Sequence, residues 1–267
     1  QTLNTVAGIF YNLMEANTND QMQAVAEQVS PMLTEYSMYV SLNEKLFERV
    51  KAVYEKRNEL GLDQDQMTLL EDNYKGFVRG GANLSEEDKA LYSKWSEELS
   101  LATLQFSKNV LAATNAYTLH VTDSADLAGL PEYVKTMGAE TAKEKNLEGW
   151  AFTLAYPSFS PFMKYSQNRE LRRQMWTAYN SKSIGGEFDN TEIVRQIVDL
   201  RIKIANILGY ETYADYALEE RMAKNRTTVN DFIKQLLEPS MESAPKDVAD
   251  VYSFTKKNGF EGSQLMP

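Results

Sequence analysis

"SEEDKALYSKWSEELSLATLQFSKNVLAATNA", residues 85–116, is the stretch that decides the fold class. It opens with Ser85, a hydroxyl residue, and three acidic residues follow it. This order is a helix start signal, because the hydroxyl caps free N–H groups and acids favour the positive end of the helix dipole. Apolar side chains then recur at steps of three and four: Leu91, Trp95, Leu99, Ala102, Phe106, Val110 and Ala113. The stretch therefore predicts one long amphipathic helix.

The same 3.6-residue period covers most of the remaining chain. It predicts further helices over residues 3–16, 22–40, 41–61, 64–78, 169–181, 190–208, 212–220 and 228–257. Pro31 lies inside the second of these and predicts a kink or a helix boundary near Ser30. Helix 190–208 is apolar on most of its sides, so we expect it at the centre of the core.

Two short segments depart from the helical period. "YTLHVT" (117–122) and "WAFTLA" (150–155) are rich in the β-branched and aromatic residues that are typical of strands. Between them we predict a turn and a short helix beginning at Pro131, and after them a loop, "YPSFSPFM" (156–163). The predicted fold class is mainly α: a multi-helix lobe with one small β-ribbon.

Composition and charge exclude several classes of partner and site. Lys and Arg number 28 against 38 Asp and Glu, and a net charge of -10 argues against binding to nucleic acid or an anionic membrane. Arg169, Arg172 and Arg173 form a local basic cluster beside Glu170, which predicts a solvated helix face or intramolecular ion pairs. The absence of cysteine excludes zinc–thiolate sites and thiolate nucleophiles. No apolar run approaches the roughly 18 residues of a membrane span.

His120 is the only histidine in the sequence. Common zinc hydrolases need two histidines one helical turn apart plus a carboxylate, so one histidine does not suffice. A Ser-His-Asp triad of the hydrolase type would need a Gly-x-Ser-x-Gly turn, which the sequence lacks. We predict that His120 is a hydrogen-bonded ribbon residue and that the chain holds no catalytic residue and no metal ligand.

Other polar patterns have structural interpretations. "LDQDQMTLLED" (62–72) begins like a calcium loop, but Thr68 stands where such a loop turns on glycine. The adjacent pair Glu97–Glu98 is interpreted as solvated charge. The triplet Asn225–Thr227 matches a glycosylation sequon, but we expect Thr227 or Thr228 to cap the next helix.

Six long stretches carry a resemblance to a known family. They are "SLNEKLFERVKAVYEKR", "LLEDNYKGFVRGGANLSEEDK", "FSKNVLAATNAYTLHVTDSADLAGLPE", "EGWAFTLAYPSFSPFM", "NRELRRQMWTAYNSKS" and "DNTEIVRQIVDLRIKIANILGYETYADYALEERMAKN". Together they resemble the thimet-oligopeptidase-like zinc peptidases of the M3 family, most closely the bacterial peptidyl-dipeptidase (dipeptidyl carboxypeptidase) branch. The stretches run in the family's order and cover nearly the whole chain from about residue 35.

The resemblance implies a neurolysin-like zincin: an almost all-helical, two-lobed body with a deep channel and zinc near its floor. It implies a His-Glu-x-x-His helix and a later Glu as zinc ligands, with the motif Glu as general base. Nothing in this chain matches that motif, so no ligand is carried over. By the same resemblance, residues 1–165 form an N-terminal helical lobe with the ribbon. Residues 166–267 form the first helices of the peptidase region, truncated before the zinc site.

The expected function is therefore that of a fragment. The resemblance implies a parent zinc peptidase that cleaves short peptides and releases C-terminal dipeptides, in the bacterial cytoplasm or periplasm. The fragment would form a wall of the substrate channel and be inactive without the missing C-terminal catalytic part of the same chain; its substrate-binding residues stay open. Both ends of the sequence look cut, since it opens inside a helical pattern and stops in "KKNGFEGSQLMP". The alternative is a non-enzymatic helical module that binds a partner through its surface.

Overall fold

The computed structural model describes residues 2–266, which divide into two compact units between Leu208 and Gly209. The helices of the first unit are α1 (Thr2–Ala16), α2 (Asp20–Ser41), α3 (Glu44–Glu55), α4 (Gln64–Arg79), α5 (Glu86–Ala116), α6 (Glu132–Glu144), α7 (Tyr156–Tyr165), α8 (Arg169–Asn180) and α9 (Thr191–Ile207). Its two strands are β1 (Leu119–Val121) and β2 (Trp150–Phe152). The second unit holds α10 (Tyr213–Glu219) and α11 (Arg226–Lys257). The predicted fold class, mainly α with one small ribbon, is confirmed.

The long helix predicted from residues 85–116 is α5, and it organises the first unit. Ser85 Oγ accepts a hydrogen bond from the backbone N–H of Asp88 at 3.1 Å, so the predicted cap is present. The helix packs against α2 and α9, and Ala102 of the predicted stripe is buried. Leu91 at the start of the stripe stays 38% exposed, whereas its neighbours Lys89 and Tyr92 are buried.

A kink or a helix boundary was predicted near Ser30; helix α2 runs without interruption through Pro31, so the boundary is wrong and the kink stays a prediction. Proline removes one backbone donor from a helix. Contacts on both sides hold this helix against α5: Ser30 Oγ and Ser100 Oγ lie 2.8 Å apart, and Ala26 is fully buried. Tertiary packing therefore offsets the cost of the proline.

Helix α3 ends at Glu55 rather than at Gly61, where the sequence predicted its end. The residues after it form turns that place Arg57 over the Tyr54 ring, with the guanidinium carbon 4.1 Å from the ring centroid. Arg57 also lies 3.8 Å from the carboxylate of Glu71 on α4, and the rings of Tyr54 and Tyr74 stack at 3.9 Å. This stacked group joins α3 to α4.

The ribbon is a two-stranded antiparallel sheet that is shorter than predicted, with three residues in each strand. Leu119 and Val121 point into the core and His120, paired with Ala151, points out. Gly149 is required before β2, because its φ is +84° and a Cβ would lie 2.4 Å from the carbonyl oxygen of Val121. The core under the ribbon consists of Leu119, Val121, Leu127, Leu130, Val134, Phe152, Leu154, Phe162 and Met175.

Residues 156–163 were predicted to be a loop, and that prediction is wrong. They lie in α7, which carries Pro157 in its first turn and Pro161 inside the helix. Proline is tolerated in the first turn, where its missing N–H has no helical partner. The side chain of Phe162 is fully buried, with its ring 4.7 Å from that of Phe152, and this contact stabilises a helix that Pro161 disfavours.

Helix α9 was expected to be apolar on most sides and central to the core, and this holds for only one of its faces. Ile197, Leu200, Ile204 and Ala205 are buried. On the other side, three β-branched residues are 44–49% exposed: Val194, Val198 and Ile202. The second apolar face of α9 is therefore open within the described part of the chain.

The second unit is built from two helices with side-chain caps. Thr212 Oγ1 caps α10 by accepting from the backbone N–H of Asp215 at 3.2 Å. Helix α11 is capped by Asn225, whose Oδ1 accepts from the backbone N–H of Thr228 at 2.9 Å. The prediction that Thr227 or Thr228 is the cap is wrong, because the amide of the sequon's own asparagine takes that position. Within residues 2–266, no helix is long and apolar enough to cross a membrane.

Candidate functional site

His120 makes a structural contact at the edge of the ribbon. Its ring Nε2 lies 2.6 Å from the carbonyl oxygen of Glu148, the residue that precedes Gly149 and β2. The contact ties β1 to the turn before β2. This is the hydrogen-bonded ribbon role predicted from the sequence, and the absence of catalytic chemistry at His120 stays a prediction.

The donor set of the chain does not fit the zinc site that the resemblance implies. Residues 2–266 contain no group of three or more His, Cys, Asp or Glu side chains placed to hold a metal ion. The calcium-like stretch 62–72 is the start of α4, where Asp63 accepts from the backbone N–H of Gln66 at 2.9 Å as a helix cap. The Asp63 carboxylate is therefore used as a helix cap.

The basic cluster on α8 makes intramolecular contacts, as predicted. Arg173 forms an ion pair with Glu170 at 2.5 Å, and the hydrogen bond from Arg173 lowers the pKa of the Glu170 carboxyl. Arg172 Nη1 donates to the carbonyl oxygen of Ser166 at 2.6 Å. These contacts fix the start of α8 on its own chain.

A loop before α9 is held by a single carboxylate. Asp189 Oδ1 accepts from the Thr191 hydroxyl at 2.6 Å and from the backbone N–H groups of Gly185 and Thr191, each at 3.0 Å. The Thr191 hydroxyl contributes most to lowering the pKa of Asp189, and the backbone donors add to it. Gly185 therefore belongs to a turn that the Asp189 carboxylate holds together.

Next to this loop, Asn190 connects α9 to α5. It is 3% exposed, its Nδ2 donates to the carbonyl oxygen of Phe106 at 3.1 Å, and its Oδ1 accepts from Asn109 Nδ2 at 2.9 Å. Both contacts span more than 80 residues of sequence. Because a buried amide needs its hydrogen-bond partners, these contacts favour one packing arrangement of α9 on α5.

A cleft in the first unit lies between α2 and α5, and it was not predicted from the sequence. This α2–α5 cleft has a volume of about 850 Å³. Its α2 wall includes Glu35, Met38, Tyr39 and Leu42, and its α5 wall includes Glu86, Lys89, Ala90, Ser93, Lys94 and Glu97. The α5 lining residues recur at steps of three and four, so they share one face of the helix. That polar face, beside the apolar stripe, is the feature of the sequence that could have indicated the cleft.

Lys89 is the unusual group in the α2–α5 cleft. The residue is 9% exposed, and its Nζ contacts Glu86 Oε1 at 2.8 Å, while the Glu86 side chain is 87% exposed. An ammonium carries three N–H donors, and burying it is costly unless they are satisfied. Glu86 is the one acceptor recorded for this ammonium within residues 2–266.

Helix α11 exposes a broad apolar surface in the second unit. None of its residues is buried, and eight large apolar side chains are 51–67% exposed. We call these the apolar α11 face: Phe232, Ile233, Leu236, Leu237, Met241, Val248, Val251 and Phe254. At 100° per residue they lie on one half of the helix, and Gln235, Glu238, Glu242 and Lys246 lie on the other. A contiguous exposed face of this kind marks an interaction surface.

Comparisons with known proteins give a family match for part of the chain. Residues 162–267 match the model of peptidase family M3. The chain is 31% identical over 261 residues to oligopeptidase A of Escherichia coli (strain K12), an alignment that covers 96% of the chain and 38% of that protein. It is 32% identical over 264 residues to dipeptidyl carboxypeptidase of Salmonella typhimurium, covering 98% of the chain and 38% of that protein. A probable cytosolic oligopeptidase A of Arabidopsis thaliana is 29% identical over 264 residues.

The chain thus spans little more than a third of the length of these relatives. The two bacterial relatives have different names and match it almost equally well. Residues 162–267 thus match peptidase family M3, and nearly the whole sequence is similar to oligopeptidase A and to dipeptidyl carboxypeptidase.

Proposed function

We propose that this chain is the N-terminal portion of a zinc-dependent peptidase that cleaves short peptides and releases C-terminal dipeptides. The observation that carries the proposal is similarity over 96–98% of the chain to oligopeptidase A and to dipeptidyl carboxypeptidases. A bacterial origin is proposed on the same relatives. The acidic balance, with a net charge of -10, supports a partner that is not nucleic acid.

We propose that the sequence consists of two regions with different structural roles. Residues 1–165 form the N-terminal helical lobe with the ribbon, and residues 166–267 form the first helices of the peptidase region. The start of the family match at residue 162 supports this boundary. The helical body of the first unit would serve as one wall of a channel that admits only short, unfolded peptides.

The zinc and its ligands are proposed to lie in polypeptide beyond this portion. One histidine, no cysteine and no metal-competent group within residues 2–266 support this. When bound, zinc supplies Lewis acidity and an activated water to peptide hydrolysis. The residues of this chain contribute binding and enclosure rather than a proton transfer or a nucleophile, so the chain alone is proposed to be inactive.

The apolar α11 face supports a partner within the same protein. Eight exposed apolar side chains on one half of a 32-residue helix would favour aggregation if they stayed in contact with water. The relatives are more than twice as long as this chain, and we propose that the C-terminal catalytic part covers the face.

A second candidate function draws on the same surface: a non-enzymatic helical module that binds another protein through the apolar α11 face. The coding sequence separates the two. A His-Glu-x-x-His motif within the same reading frame favours the peptidase, and its absence favours the module.

The test compares the whole gene product with the 267-residue chain. Dipeptide release is measured by mass spectrometry on short peptides and on a folded protein of similar sequence content. We expect release from short peptides by the whole product, loss of that release with a zinc chelator, and none from the chain alone. Release by the chain, or equal digestion of the folded protein, would refute the proposal.

A further inference from the structure

The α2–α5 cleft has two charged poles, and their positions follow from how the two helices run. Ser30 contacts Ser100, and Glu27 forms an ion pair with Lys108. Glu27 precedes Ser30 on α2, whereas Lys108 follows Ser100 on α5, so the two helices are antiparallel. Glu35 then lies near Glu97, and Leu42 lies near Lys89.

The acidic pole consists of Glu35 and Glu97. Both residues line the cleft and are exposed, and within the described residues no ion pair is recorded for either carboxylate. The neighbouring Lys94 lies 3.9 Å from Glu98 instead. Two like charges facing one cleft favour a cationic group between them.

The basic pole is built around Lys89, a residue that is 9% exposed. Its recorded partner, Glu86, uses one of three donors and extends into solvent. Lys45, at the start of α3, lines the same end of the cleft, so two lysines and two glutamates, Glu44 and Glu86, meet there. A carboxylate placed here would complete the hydrogen bonding of Lys89 with a charge-assisted contact.

The distance between the poles selects the length of the ligand. Lys89 and Glu97 are eight residues apart on α5, which is about 12 Å at 1.5 Å per residue. An extended peptide rises about 3.3 Å per residue, so about four residues match this separation. Met38 gives the cleft an apolar lining between the poles, and Leu42 and Ala90 line it beside Lys89.

We propose that the α2–α5 cleft binds a short extended peptide of about four residues, with its C-terminal carboxylate on Lys89 and its free amino group between Glu35 and Glu97. The inference rests on the proposed action of the whole protein on short peptides, and it names the residues of this chain that would hold such a peptide.

The test is calorimetric titration of the 267-residue chain with tetraalanine, with dialanine, and with tetraalanine carrying an amidated C-terminus. We expect tetraalanine to bind, and the other two to bind about tenfold more weakly or worse, because each loses one charged pole. No binding of tetraalanine, or equal binding of all three, overturns the proposal.

Three variants assign the poles. Lys89→Met is expected to weaken tetraalanine about tenfold and to abolish the penalty for amidation. Glu97→Gln is expected to abolish the advantage of tetraalanine over dialanine. Ala90→Trp places bulk in the cleft from an exposed helix position and is expected to block binding without disturbing the fold. An amidation penalty that persists in Lys89→Met contradicts the assignment.

Lys135→Met is the matched control. Lys135 also pairs with a glutamate three residues earlier, Glu132 at 3.6 Å, but it lies on α6 and outside the cleft. It should bind tetraalanine like the unaltered chain, and a loss equal to that of Lys89→Met would overturn the proposal. The cleft proposal fails alone if tetraalanine does not bind while the whole protein releases dipeptides. The proposed function fails alone if tetraalanine binds and the whole protein is inactive.

Discussion

Asn190 Nδ2 donates to the carbonyl oxygen of Phe106 at 3.1 Å, and this buried contact joins the start of α9 to the middle of α5. Replacing Asn190 with alanine would leave that carbonyl and the Asn109 amide without their partner in a buried setting. We expect Asn190→Ala to lower the free energy of unfolding of the first unit by about 2 kcal/mol.

The measurement is urea unfolding followed by tryptophan fluorescence. All three tryptophans, Trp95, Trp150 and Trp176, lie in the first unit and report on it directly. The control is Asn180→Ala, which removes an exposed contact to the carbonyl oxygen of Trp176 and should cost little. Equal losses in the two variants would contradict the role assigned to Asn190.

The second prediction concerns the core under the ribbon. Phe162 is fully buried on α7, whereas Tyr156 on the same helix is 72% exposed. Phe162→Ala should lower the free energy of unfolding by about 3–5 kcal/mol, because it removes apolar burial and leaves a cavity. Tyr156→Ala should change it by less than about 1 kcal/mol. A small effect at Phe162 in the same urea experiment would show that α7 is not anchored through this side chain.

The third prediction separates a steric clash from a backbone cost. Gly129 (φ +85°) and Gly185 (φ +73°) both occupy the left-handed region, but a Cβ on Gly129 would lie 2.3 Å from the carbonyl oxygen of Tyr165, and one on Gly185 would meet open space. We expect Gly185→Ala to cost about 1–2 kcal/mol and Gly129→Ala about 3–4 kcal/mol. Thermal unfolding of the two variants checks this order, and the reverse order would refute it.

The fourth prediction is a pH dependence. The pKa of Asp189 is lowered from 3.8 by the Thr191 hydroxyl and by the backbone N–H groups of Gly185, Thr191 and Asn190, so the folded state favours the charged form. The stabilisation by Asp189 is therefore present above its unfolded pKa and lost as pH falls through the lower folded value. Asp189→Asn should be less stable than the unaltered chain at about pH 7, and the difference should shrink at about pH 2.5. A difference in fluorescence-detected stability that grows on acidification would contradict this.

The fifth prediction concerns the apolar α11 face. Leu236 is 55% exposed in this chain, so Leu236→Glu should leave the stability of the 267-residue chain unchanged. In the whole protein the same substitution should lower the unfolding temperature, because it would place an unpaired charge in a buried interface. Gln235→Glu adds the same charge on the opposite half of α11 and should be neutral in both. A neutral Leu236→Glu in the whole protein would mean that no catalytic part covers the face.

The parts of the fold that sequence predicted well are those with strong local signals. The cap at Ser85 and the apolar steps of α5 are local, and both are observed. Helix α7 was missed because Pro157 and Pro161 indicate a loop, while burial of Phe162 is a tertiary effect. The exposed face of α9 was missed because Val194 and Ile202 look like core residues in any window of sequence.

Among the candidate sites too, the one with a local signal was predicted and the one that depends on tertiary structure was not. The ribbon role of His120 followed from its neighbours Leu119 and Val121, which alternate with it. The α2–α5 cleft was not predicted, because it depends on two helices more than 40 residues apart in sequence. In the sequence, Lys89 is one of several charged residues in the first turns of α5, and its burial is visible only in the structure.

The central claim is that the proposed peptidase holds its metal in polypeptide outside these 267 residues. Metal content measured by mass spectrometry, after dialysis of the whole gene product and of the 267-residue chain in parallel, tests it most directly. The account predicts about one zinc per molecule of the whole product and none in the chain. Stoichiometric zinc that the chain retains through dialysis would contradict it.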